Sequence, residues 1–410
     1  MLAPYRRILA TPHLPLLLAV SLLARLYATG MALAVTFLVA GWTGSYTAAG
    51  VATAALVVGS GIGGPLRGRT VDRKPAPRIL VLTALGYSTA VGLMAVLPAR
   101  WWLLAPVLGL LAGLSQPPAN QVARSLWSRL PDPGAREASY AVEATLQEVL
   151  FVVGPMLAAV LVATVSPRAA VASCAGLALL GTVAFALVVR RSGLTANAPA
   201  KPAEQRRGSL FTVLGARGVV PLLVTMALLV GALAAGDMVL VAWARHNGTP
   251  SLAGVLGAVW AVGSGLGGLF IAGRSHRLPV RIGLVAAGFA LLVPVLPPVY
   301  GHPSPWLIGA VLALGGTTIA PAIAASNSRL GALAPDDRRG EAFGWMTTAC
   351  TAGGAVTSPA IGALLDHLGP AAAAGFAALM IVAATVLARL VPERGAVLVS
   401  SPATEPASAG

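Results

Sequence analysis

Charge is what this chain has least of, and negative charge least of all. Its 410 residues include 13 Asp and Glu against 28 Lys and Arg, and charged residues make up only 10% of the whole. A soluble globular protein carries about 25% charged residues, so this chain lacks the polar surface to face water on every side. Cysteine is scarcer still. Cys174 and Cys350 both sit in apolar stretches, which implies neither a disulfide framework nor a thiolate metal site. The five histidines (His13, His246, His276, His302 and His367) lie away from the middle of any apolar run. No Ser/His/Asp set, paired metal ligands or phosphate loop is visible. An enzyme embedded in a membrane is therefore the remote alternative, and no cofactor or metal is expected.

What the chain has is hydrophobic length. It is 57% hydrophobic, with 47 Gly and 31 Pro. Crossing the roughly 30 Å of a bilayer core takes about 20 apolar residues in a helix. Twelve such stretches can be read, at 14–40, 45–65, 79–98, 101–123, 138–165, 169–189, 219–243, 251–272, 281–298, 306–328, 342–365 and 371–391. The expected fold is an all-α membrane protein of twelve transmembrane helices. The ninth is interrupted by Pro294, Pro297 and Pro298. The basic start, Tyr5-Arg6-Arg7, resembles a signal peptide, but the apolar run after it continues to about residue 40 with no small-residue cleavage site. It reads as a retained first helix.

The net charge of +15 raises the question of nucleic acid, and the placement of the charge answers it. With the N-terminus inside, 24 of the 28 basic residues fall in inner segments, and the outer loops hold only Arg100, Arg168 and Arg245. Arg25 remains within the first helix. That asymmetry is the positive-inside pattern of a chain with both ends in the cytoplasm. The charge is topological and no nucleic-acid partner is expected.

The two halves are copies. A shift of 204 residues lays AGVATAALVVGSGIGG (49–64) over AGVLGAVWAVGSGLGG (253–268). The same ungapped offset puts Pro117 on Pro321, Pro131-Asp132 on Pro335-Asp336, Glu137 on Glu341 and Pro155 on Pro359. Helix 2 falls on helix 8 and helix 5 on helix 11, so orientation is preserved, as in a parallel repeat of two six-helix bundles. The expected division is a first bundle over 1–190, a cytoplasmic linker over 191–217, a second bundle over 218–391 and a disordered cytoplasmic tail over 392–410. Within the linker, residues 209–217 are a candidate short interfacial helix.

At the inner end of helix 2 stands Gly64-Pro65-Leu66-Arg67-Gly68-Arg69-Thr70-Val71-Asp72-Arg73. Gly68, Asp72 and Arg73 match the first fixed positions of Gly-x-x-x-Asp-Arg-x-Gly-Arg-Arg, and here the chain resembles the major facilitator superfamily. It departs afterwards, with Pro75 and Ala76-Pro77 in place of Gly and two Arg, and the second copy retains only Arg277. The resemblance implies that Asp72 contacts the start of helix 11 and helps lock one transport state. The positive end of a helix dipole would favour that contact. In helix 5, Gly154-Pro155-Met156-Leu157-Ala158-Ala159 resembles the superfamily's antiporter motif, with Ala replacing the final Gly pair and Leu150 replacing an upstream Gly. That motif implies export in exchange for protons. The proton-relay Arg often found in helix 4 of drug–proton antiporters is missing, because Gly109 stands at its position.

Ionisable residues inside a membrane are costly and default to functional candidates. Here they are Arg25, Glu143, Glu148 and Asp237. At 1.5 Å per residue, Arg25 and Glu148 each lie about 15 Å from the inner start of their helices. Glu143 is about a turn and a half inside, and Asp237 lies nearer the outer end, where Arg245 could reach the same interface. Gln116, Asn120 and Gln121 add polar groups at the inner end of helix 4. Equal depth suggests that Glu148 carries a proton and that Arg25 balances its charge when the proton leaves. A buried structural ion pair is the plain alternative. The function this suggests is proton-coupled efflux of small amphipathic organic molecules by a plasma-membrane transporter acting as a monomer. An importer or facilitator of a polar nutrient on the same fold is the other reading.

Overall fold

The structure is a computed structural model; it describes residues 8–9, 11–193, 211–247, 249, 251–270, 277–301 and 303–392. Twelve helices in it are long and apolar enough to cross a membrane. In the first half they are α1 (Leu14–Thr43), α2 (Tyr46–Arg73), α3 (Ala76–Val96), α4 in two pieces (Ala105–Leu114 and Ala119–Trp127), α5 (Pro133–Thr164) and α6 (Pro167–Ser192). In the second half they are α7 (Val219–His246), α8 (Ser251–Phe270), α9 (Leu278–Leu292), α10 in two pieces (Pro305–Gly316 and Ile319–Leu333), α11 (Arg339–Leu368) and α12 (Pro370–Ala388). The expected tail lies outside the described residues apart from Pro392. So does most of the linker, of which 211–217 is described and carries a 3-10 turn at Thr212–Gly215.

Local chemistry sets the ends. The Ser45 hydroxyl accepts the Ala48 amide at the start of α2, and Ser166 and Ser304 do the same for Ala169 and Leu307 before α6 and α10. Each such cap satisfies one of the orphan amides of a helix start. Pro follows the cap in α6 and α10, where its fixed φ suits the first turn. Gly44 and Gly193 close α1 and α6 in the left-handed conformation.

The packing repeats as the sequence does. α1 lies on α6 and α5, α2 on α4, and α3 on α6; likewise α7 lies on α12 and α11, α8 on α10, and α9 on α12. With lipid outside, helix association depends on close packing at small residues. A methyl added at Gly181 would stand 2.7 Å from the Leu23 carbonyl, and one at Gly30 would stand 2.6 Å from the Gly154 carbonyl. Between the halves, α2 packs on α11 and, symmetrically, α8 on α5. The second pieces of α4 and α10 reach α11 and α5 in the same paired way.

One feature of the charge pattern changes. Arg67, Arg124 and Arg281, counted above with the inner segments, belong to helices and are largely buried. The helices run further than their apolar cores because long Arg stems lie along apolar surface while their heads find backbone or carboxylate oxygens.

Candidate functional site

The two halves meet at one end. There Gly64 faces Gly344 and Gly68 faces Gly340 so closely that any side chain would strike backbone. The Thr348 hydroxyl donates to the Gly61 carbonyl at 2.6 Å. Gln121 reaches Thr347 at 3.4 Å. Asp72 ends this row. Its two carboxylate oxygens accept the backbone amides of Gly340 and Glu341, each at 2.8 Å. α11 has no side-chain cap of its own, so its exposed amides are satisfied from the other half. The Glu341 side chain is buried and pairs with Arg338 at 3.5 Å, while Arg69 and Arg73 act on it electrostatically. On the symmetric side, Arg281 donates to the Pro321 carbonyl at 3.1 Å and stands 3.8 Å from Glu137 of the first half.

Each of these inter-half contacts uses the last turns of α2 or the first turns of α5 and α11. Further along α5 the halves touch again, where Gly268 of α8 abuts Thr145. Over their most apolar 18 residues α5 and α11 are 17% and 11% buried, against 33–56% for the other ten helices. These two equivalent helices are the least buried of the twelve over that stretch.

Arg25 is not paired with Glu148. Its guanidinium meets Glu143 at 2.9 Å, and it also donates to the Asn120 side chain and to Ser21. Glu143 is 2% exposed and accepts further bonds from Arg124 at 2.9 Å and from the Trp127 indole at 2.7 Å. The reason is azimuth. At about 100° per residue, five residues turn a side chain by about 140°, so Glu143 faces α1 and α4 while Glu148 faces α8. Arg124 and Trp127 escaped the sequence reading because helix 4 was ended at residue 123; the polar run continuing to Trp127 was the available signal.

Glu148 instead accepts the hydroxyl of Ser264 across the interface at 3.0 Å. Asp237 sits on an exposed face of α7 within electrostatic reach of Glu148. Among the described residues neither carboxylate has an ion-pair partner. The side chain of Arg245, expected to reach the same interface as Asp237, lies outside the described residues. Gln116 marks the break in α4, where it accepts from Ser60. Beside it Arg67 donates to the carbonyls of Gly113, Leu114 and Ser60, closing the end of the first α4 piece. Gly154 packs on α1 near Thr29, whose hydroxyl donates to the Leu150 carbonyl at 2.9 Å, one turn before Pro155. Arg73 is exposed in the last turn of α2.

A family model of the Major Facilitator Superfamily matches residues 16–246 and again residues 233–409. The chain belongs to the Major Facilitator Superfamily. It is a transporter of that superfamily and not an enzyme. Among curated proteins none matches it. Solved structures match its fold along nearly its whole length. A bacterial homologue of the iron transporter ferroportin in an outward-facing state is 17% identical over 92% of this chain and 97% of that one, with a TM-score of 0.71. The human organic anion transporter TETRAN is 18% identical over 93% and 99%, at 0.67. The proton:xylose symporter XylE, bound to a bromo-deoxyglucose, is 16% identical over 92% and 95%, at 0.65. At such identities the likeness concerns the fold.

Proposed function

We propose that the chain exports small amphipathic organic molecules in exchange for protons, by alternating access in the plasma membrane, as a monomer with both termini in the cytoplasm. With the basic segments inside, the closed end is cytoplasmic and this arrangement is open outward. Asp72 then acts as the cytoplasmic latch, with Gly64, Gly68 and Arg73 shaping its surroundings. The two halves rock about the site between them.

The observation that carries the coupling is the position of Glu148. It is a half-buried carboxylate on α5, bonded across the interface to Ser264 and, among the described residues, supplied with no cation. Asp237, on the other half, repels it when both are charged, and a proton between them removes that repulsion. Movement of the halves changes this pairing and so changes how firmly the proton is held. Arg25 and Glu143 serve to fasten α1, α4 and α5 together. Gly154-Pro155 on α5 supports export by its resemblance to the antiporter motif.

The test is transport of a panel of amphipathic dyes in vesicles with an imposed pH gradient. Glu148→Gln mimics the protonated acid, so it should abolish proton-driven accumulation while leaving downhill exchange intact. Full proton-driven accumulation by that variant would remove Glu148 from the mechanism.

A further inference from the structure

A serine buried within a helix commonly returns its hydroxyl to its own backbone three or four residues back, as Ser21, Ser125, Ser139 and Ser326 do here. Ser60 of α2 and Ser264 of α8 do not. They stand 204 residues apart, at the same place in the two copies, and each sends its hydroxyl to a side chain on another helix. The acceptors are not equivalent. Ser60 donates to Gln116 within its own half, whereas the repeat partner of Gln116 is Ala320, which offers Ser264 nothing to bond. Ser264 donates instead to Oε1 of Glu148 in the other half, at 3.0 Å, and the repeat partner of Glu148 is Ala352. Two departures from the repeat, one in each half, together make one bond across the interface.

The seam around this bond brings α5 and α8 close. One turn further in, Gly268 of α8 lies against Thr145 with no room for a side chain, and Gly265 faces the same residue. Ser264 is 1% exposed, so its hydroxyl has little water to turn to. The ionisable group that acts on Glu148 is Asp237 of α7. Arg25 of α1 and Arg124 of α4 are turned to Glu143, and α8 carries no ionisable side chain. On α10 the ionisable residue is Arg329, near the inner end; those of α6 stand at its two ends, apart from Cys174 in the apolar core.

We propose that Ser264 is the positioning residue of the Glu148 proton site. Its hydroxyl engages Oε1, so an arriving proton goes to Oε2. Because the donor belongs to the other half, the site exists in this form only while α5 and α8 are together at that level. Movement of the halves then alters the proton site with no cation involved. The inference rests on the reading of Glu148 as the coupling carboxylate.

The experiment records infrared difference spectra of the purified full-length protein between alkaline and acidic pH. The carbonyl band of protonated Glu148 is identified by its loss in E148Q. In S264A that band should move to higher frequency, because Oε1 has lost its donor. S264T keeps a hydroxyl and should keep the band near its wild-type position. S60A removes the equivalent hydroxyl from the first half and should leave the band where it is. In vesicles, the pH midpoint of transport should move by about one unit toward alkaline values in S264A and stay in place in S60A. An unmoved band in S264A, an equal shift in S60A, or a wild-type spectrum with no band that E148Q removes would overturn the proposal. Full proton-driven transport by E148Q would overturn the coupling reading alone, since the band shift in S264A is read without transport.

Discussion

Helices α5 and α11 occupy equivalent places in the two halves, start at the same end of the molecule and are the least buried of the twelve, yet they are fastened in opposite ways. α5 begins with its own cap: Asp132 accepts the amides of Gly134 and Ala135. About three turns further on, Glu143 ties it to α1 and α4 through Arg25, Arg124 and Trp127, all within one half. In α11 the repeat partner of Asp132 is Asp336, which pairs with Arg339 at 2.8 Å instead. The amides of α11 are capped by Asp72, a residue of the other half. A cap made within one half belongs to the fold and persists as the halves move. A cap made across the interface exists only while the halves are closed, and its loss returns the amides to water without unfolding either bundle.

The comparison breaks most visibly at Glu143. Glu143→Ala leaves Arg25 and Arg124 as unpaired like charges in a buried site, at a cost of about 3–5 kcal/mol. Thermal unfolding in detergent should show a large loss of stability, and an unchanged unfolding temperature would mean that this cluster does not fasten α5. Gly68→Leu comes next and acts on α11 alone. A side chain there meets the Gly340 backbone, and overpacking of about 1–3 kcal/mol should lower the closed-to-open ratio by roughly one to two decades. Distances between spin labels placed across the closed end would lengthen, while unfolding moves little because each half keeps its own packing. The smallest effect belongs to Asp132→Ala, worth about 1 kcal/mol of local stability. Faster amide hydrogen exchange at the start of α5, with no change in the closed-to-open ratio, is the expected result.

Much of this was legible in the sequence. The twelve spans follow from length and apolarity, and the offset of 204 reappears in the packing, where Gly63 abuts α4 at Leu114 and Gly267 abuts α10 at Thr317. The contact between Asp72 and the start of helix 11 followed from the motif and a helix dipole. The partner of Arg25 did not. Depth along a helix can be counted from its start, but the direction a side chain faces depends on how the helix is rotated in its bundle. Glu143 and Glu148 differ by less than two turns in depth and by more than a third of a turn in direction. The long basic residues misled for a related reason. Arg67 and Arg281 look like loop charges, yet each reaches a backbone carbonyl of a broken helix, at Leu114 and at Pro321. The need for a donor there is created by breaks that the apolar pattern does not reveal.

The central claim is that Asp72 holds the halves closed by capping a helix it does not belong to. Cys350 lies on α11 more than two turns beyond the capped amides, half-buried behind the latch. With Cys174 replaced by Ala, its reaction with a membrane-impermeant maleimide applied at the closed end reports opening there. Asn offers one acceptor oxygen to two amides and no charge to the helix terminus, so Asp72→Asn should cost about 1–2 kcal/mol of closure. The account predicts that Cys350 reacts roughly tenfold faster in this variant, with transport reduced and the unfolding temperature nearly unchanged. Labelling at the wild-type rate together with normal turnover would contradict it.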